Sequence, residues 1–173
     1  DVVSLQVHYG STLAEDVTAI SQLIKHQATA KIVIHTGWAR SAERVAEWNT
    51  EPKTADLSAV PMSHSIEYFD ILLAKLRSQF PTRSFTRTRA MEMLECVEDD
   101  ITSKKAPISD VTELYRDKIH MNLVTGRYLM HNAMRSALGQ PRSVAGFEKL
   151  DSPMKDYLDS VLDRVLTSQQ QKR

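Results

Sequence analysis

A chain of 173 residues is one domain's worth and can bury roughly 70% of the surface it exposes when unfolded, so no disulfide framework or structural metal is needed to hold it together. Lys plus Arg and Asp plus Glu both number 22, giving zero formal charge and no basic block to neutralise a series of phosphates, so nucleic acid is not an expected partner. The apolar share of 42% is that of an ordinary globular protein, and no run approaches the roughly 18 apolar residues of a membrane span.

The chain opens on "DVVSLQV", with no initiating Met and no signal peptide in view. Such an abrupt start suggests a removed secretory leader, hence export to the periplasm or cell exterior, or more of the domain ahead of Asp1. Val2 to Val7 is apolar and β-branched, which predicts a buried strand, and "HYGS" follows as a loop. Leu13, Val17, Ile20 and Ile24 recur at helical spacing and predict a helix ending near Gln27, where His26 suits the negative end of the macrodipole. "KIVIHT", residues 31–36, is a second strand closed by Gly37; two strands joined through a helix make a right-handed βαβ unit and a parallel sheet.

From Trp38 to Pro61 the pattern fades into a long excursion, with one helical turn expected around Arg44 to Trp48; such an excursion often walls a pocket. Ile66, Phe69, Leu72, Leu73, Leu76 and Phe80 predict the next helix, stopped by Pro81, and "TRSFTRT" the third strand. Met91, Leu94, Val97 and Ile101 mark another helix, and Cys96 beside them is expected as a core thiol; a single cysteine forms no internal disulfide. A helix face of Leu129, Ala133, Met134, Ala137 and Leu138 ends at Gly139 and Pro141. Ser152 as N-cap and Pro153 start a last helix with Met154, Tyr157, Leu158, Val161, Leu162 and Val165 inward, before a frayed tail.

Strands alternating with helices predict a three-layer α/β/α architecture on a parallel sheet. Three strands are few for such a sheet, so one or two are expected ahead of Asp1. Residues 1–150 are expected to form the α/β domain, and 151–173 a C-terminal amphipathic helix packed on it.

"YRDKIHMNLVTGRYL", residues 115–129, sets Asp117 three places before His120. An imidazole with an ordinary pKa of about 6.5 accepts and returns a proton at neutral pH, and a carboxylate beside it fixes its tautomer and stabilises the imidazolium. With twelve Asp and six His in the chain, chance alone supplies about 0.4 such spacings, so the bare pattern is equally an ordinary loop-to-helix junction.

The stretch "LYRDKIHMNLVTGRYLMHNAMRSALGQP" resembles the end of the SGNH (GDSL-like) hydrolase superfamily, through Asp117, His120, Asn122, Gly126 and Tyr128. "DVVSLQV" and "KIVIHTGWA" look like consecutive core strands of its bacterial, acetylesterase-like members, so the likeness spans about Asp1 to Pro141. What it implies is a flavodoxin-like Ser-His-Asp esterase without cofactor, acting on a small-molecule or carbohydrate ester. His120 would be the base and Asp117 its orienting partner; Gln6 or His8 would stand where the family places an oxyanion donor, and Trp38 and Asn122 would line the pocket.

The family's serine segment is absent. Neither a Gly-Asp-Ser-like segment nor Gly-x-Ser-x-Gly occurs, and Ser11, Ser63 and Ser65 read as turn or helix-start residues. Either the serine lies on a strand ahead of Asp1, in which case this chain alone is inactive, or the protein keeps the fold as a non-catalytic binding or scaffold module. A metal site drawing on His35, His120, His131 and Asp117 is not expected, since no His-Glu-x-x-His or close His pair occurs. Oligomeric state is left open.

Overall fold

The computed structural model describes residues 1–27, 29–42 and 56–167. The fold is α/β: among the described residues, a small parallel three-stranded sheet and five α-helices, consistent with the flavodoxin-like type expected. No helix among them is long and apolar enough to cross a membrane. The chain divides into two compact units, Asp1–Ala39 with Arg44–Thr88, and Arg40–Glu43 with Arg89–Arg173.

The first unit carries the sheet. β1 (Val2–Gln6), β2 (Lys31–His35) and β3 (Phe85–Arg87) lie side by side in chain order, all parallel, with Val3 opposite Ile32 and Ile32 opposite Phe85. α1 (Leu13–Lys25) connects β1 to β2, and α2 (Ile66–Gln79) connects β2 to β3. The stripe read from the sequence is the buried one: Leu13, Val17, Ile20 and Ile24 are in the core, and α1 packs against α2. A capping box starts α1, with the Thr12 hydroxyl accepting from the Glu15 amide and the Glu15 carboxylate from the Thr12 amide; this satisfies donors that the first turn leaves open. Ser65 caps α2 through the amide of Tyr68.

β1 departs from expectation. Ile32, Val33 and Ile34 of β2 are fully buried, whereas Val2, Ser4 and Gln6 of β1 are exposed and Val3 and Leu5 half-buried. The reason is position: among the described residues β2 has a neighbour on each side, and β1 on one. In the excursion after Trp38, a 3₁₀ turn at Leu57–Ala59 is described; the turn expected at Arg44 to Trp48 lies outside the described residues, as does the tail from 168 onward.

The second unit is helical: α3 (Ala90–Thr102), a 3₁₀ turn (Val111–Leu114), α4 (Thr125–Leu138) and α5 (Ser152–Thr167). Leu158, Val161, Leu162 and Val165 of α5 are buried, and α5 packs on both α3 and α4. The first unit gives way to the second at Thr88 and Arg89, and the apolar face of α5 is spent on α3 and α4. Gly139 ends α4 in the left-handed conformation (φ 76°), as its position predicted.

Three local expectations shift. Asp151, not Ser152, caps α5, its carboxylate accepting from the Met154 amide, which moves the cap one residue upstream. On α4 the buried face includes Tyr128, Met130 and Asn132, while Met134 and Leu138 are half-buried. Cys96 is half-buried rather than a core thiol, and burial pushes its pKa up, with nearby Arg164 pulling the other way.

Candidate functional site

The Asp117–His120 pair is built by a tight chain reversal within the second unit. Tyr115 and Met121 form an isolated antiparallel bridge, the Arg116 amide donates to the His120 carbonyl at 2.9 Å, and the Asn122 amide donates to the Leu114 carbonyl at 2.8 Å. Inside this reversal Asp117 Oδ1 accepts from the amides of Ile119 and His120, both at 2.8 Å, the local bonding that aspartate favours in turns.

The two side chains meet. His120 Nδ1 stands 2.9 Å from Asp117 Oδ2 and 3.0 Å from Oδ1, and among the described residues the ring has no other hydrogen-bond partner. The amides of His120 and Ile119, and then the imidazole, hold the Asp117 carboxyl well below the usual carboxylate range. A carboxylate can only accept, so the proton sits on Nδ1 and Nε2 carries the lone pair. Both side chains are about half exposed, 56% for His120 and 49% for Asp117, so the ring is not walled off by packed side chains. Its surroundings mix exposed Ile119 and Leu123 with exposed Lys118 and Arg116, whose Nε stands 3.6 Å from Asp117 Oδ2.

The rest of the motif serves structure. Asn122 Oδ1 accepts from the amides of Val124 and Gly126, and its Nδ2 donates to the Glu113 carbonyl and the Thr125 hydroxyl. The side chain thus caps the start of α4 and ties it to the preceding 3₁₀ turn. Gly126 follows from close approach, since a Cβ there would stand 2.1 Å from the Leu114 carbonyl oxygen. Tyr128 is fully buried, donates to Asp159 at 2.7 Å and packs edge-on to Phe147.

The other candidates lie in the first unit, at the carboxyl ends of β1 and β2, where open α/β sheets bind ligands. Gln6 is exposed, with Nε2 3.2 Å from the point where a Gly37 Cβ would stand. His8 is exposed, and its carbonyl accepts from Ser11. Trp38 is half-buried and edge-on to His35 at 5.9 Å, and His35 Nδ1 lies 3.0 Å from the Thr88 hydroxyl. Burial, and then the neighbouring His64, lower the pKa of His35. His64 itself is buried, stacked near Tyr9, with Nε2 3.4 Å from the same point beside Gly37. Sequence reasoning passed over His64, which sits in a polar stretch with no period to mark it.

The three candidate serines have structural partners, as their sequence settings suggested: Ser65 caps α2, Ser63 bonds Ser65 at 3.1 Å, and Ser11 donates to Asp16 at 2.8 Å. Asp16 was also missed. It is buried, accepts from Tyr68 at 2.6 Å, and its pKa is raised because burial outweighs its two hydroxyl donors. Its place on the Leu13, Val17, Ile20 stripe was the available signal. Among the described residues no group of three or more His, Cys, Asp or Glu side chains could hold a metal ion. The chain matches no family model, no curated protein and no solved structure.

Proposed function

We propose that the protein is a serine ester hydrolase in which His120 is the general base and Asp117 its orienting partner, with the serine on a segment ahead of Asp1. One observation carries it: a half-exposed imidazole held through Nδ1 by both oxygens of a strongly ionised carboxylate, its other nitrogen without a hydrogen-bond partner among the described residues. In the reaction the serine hydroxyl gives its proton to His120 Nε2 while its oxygen attacks the ester carbonyl carbon. The imidazolium then returns that proton to the departing alcohol, leaving an acyl-serine that water cleaves by the same steps. Exposed Ile119 and Leu123, on the same chain reversal as the dyad, suit a small acyl group.

A non-catalytic binding module of the same fold is favoured by one feature, the half exposure of both dyad side chains. Turnover of p-nitrophenyl acetate by the complete polypeptide separates the two. His120→Ala is expected to lower it by a factor on the order of 10²–10⁴, and Asp117→Ala by less. Parent-like turnover in His120→Ala removes His120 as the base. A complete polypeptide that neither turns over the ester nor reacts with a fluorophosphonate is the binding module.

A further inference from the structure

We infer that the groove between β1 and α1 binds a small primary ammonium ion with an aliphatic tail, its charged head against Asp16 and its tail along Ile20 and Leu23. Charge points there first. Among the described residues three carboxylic side chains are buried: Asp16, Glu92 and Asp100. Glu92 pairs with Arg89 at 2.9 Å, and Asp100 pairs with Arg164. Asp16 is bonded by neutral hydroxyls instead, Ser11 donating to Oδ1 at 2.8 Å and Tyr68 to Oδ2 at 2.6 Å, with no cation at ion-pair distance among the described residues. His8 and Glu15 act on it from further away and with opposite signs, and α2 contributes the Tyr68 phenol. Burial, and then Asp16, push the Tyr68 pKa up, so the shared proton stays on the phenol and Asp16 is the acceptor.

Asp16 also lines a groove of about 210 Å³. Asp16, Ala19, Ile20 and Leu23 lie on one stripe of α1, three and four residues apart, and Leu5 and Val7 complete the walls from β1 and its end. From Asp16 to Leu23 the stripe runs roughly 10 Å. The lining is polar at the Asp16 and His8 end and apolar along the stripe toward Leu23, which is 38% exposed.

An ammonium head suits the polar end on two counts. It donates up to about three hydrogen bonds and accepts none, while each Asp16 oxygen keeps an acceptor position beyond the hydroxyl it already holds. Its charge also supplies the partner that a buried carboxylate ordinarily has. A tail of about six carbons reaches along the stripe and takes Leu23 out of water. Every one of these residues belongs to the first unit, and neither Asp117 nor His120 takes part, so the site does not rest on the hydrolase proposal.

The test is a methyl-detected NMR titration of the complete polypeptide with n-hexylammonium chloride at pH 7. Saturable shifts are expected at Leu5, Val7, Ile20 and Leu23. Binding should be at least about tenfold tighter than that of 1-hexanol, which lacks the charge, and of ethylammonium, which lacks the tail. Asp16→Asn removes the charge at nearly constant size, and Ala19→Phe fills the groove from an exposed position. Each is expected to weaken hexylammonium by about tenfold or more while keeping a parent-like dichroism spectrum. Absence of saturable shifts in the parent overturns the proposal, as does parent-like binding by either folded variant. Equal affinity for 1-hexanol overturns it in favour of a merely apolar groove, and tighter binding of hexanoate overturns it by making His8 the recognising group. Should Asp16→Asn fail to fold, Ala19→Phe and the hexanol comparison decide.

Discussion

At Gly126 the deciding quantity is a distance. A methyl group there would meet a backbone oxygen, which cannot swing aside as a flexible side chain would. Gly126→Ala is therefore expected to destabilise the second unit by about 1–3 kcal/mol, read as a shift in denaturant midpoint; a midpoint unchanged from the parent would mean that α4 is not seated against Leu114 this closely. At Asp16 the deciding quantity is solvation. Burial raises its folded-state pKa above the ordinary carboxyl value of 3.8, so the stability linked to its protonation is fully present below that value and lost as pH rises through the folded-state pKa. Asp16→Asn keeps an acceptor for Tyr68 without the buried charge. It should be at least as stable as the parent at pH 7, and its advantage should shrink in chemical denaturation below pH 4. A marked loss at pH 7 would show that the two hydroxyl bonds outweigh desolvation after all. In the sequence, Asp16 looked like a first-turn acid because caps and core acids share that position, and only its phase on the apolar stripe distinguishes them.

At the scale of elements, α5 is held to α3 by more than apolar contact. Arg164 makes a two-pronged ion pair with Asp100, whose side chain is 6% exposed while that of Arg164 is 48% exposed. The guanidinium bonds, against the opposing effect of burial, hold the Asp100 carboxyl below its usual range. Its linked stability is present above 3.8 and lost as pH falls through the lower folded value. Arg164→Met is expected to cost about 1–2 kcal/mol at pH 7, at the modest end for a buried carboxylate because one partner is half in water, with a smaller difference below pH 3. Equal losses at both pH values would put the cost in packing instead. The elements were legible where an apolar period ran unbroken, as in α1, α2 and α5. The cap of α5 was displaced by one residue because Asp151 and Ser152 are both good caps and only backbone geometry chooses between them. The exposure of β1 was hidden for a different reason: a β-branched run records what a strand is suited to, not how many neighbours it has.

At the scale of the whole molecule, the α/β class was readable from strands alternating with helices, whereas the two-unit division was not. It depends on where α5 spends its apolar face, and a period does not say against what. The Asp117–His120 contact was legible as a spacing, while the capping role of Asn122 required coordinates. The consecutive placement of β1, β2 and β3 bears on how loss of turnover is to be understood. The ladder draws on residues that all precede Arg89, in a different unit from the Asp117–His120 turn. An alanine at His120 removes none of its pairings, and a parent-like far-ultraviolet dichroism spectrum should accompany whatever turnover that variant loses.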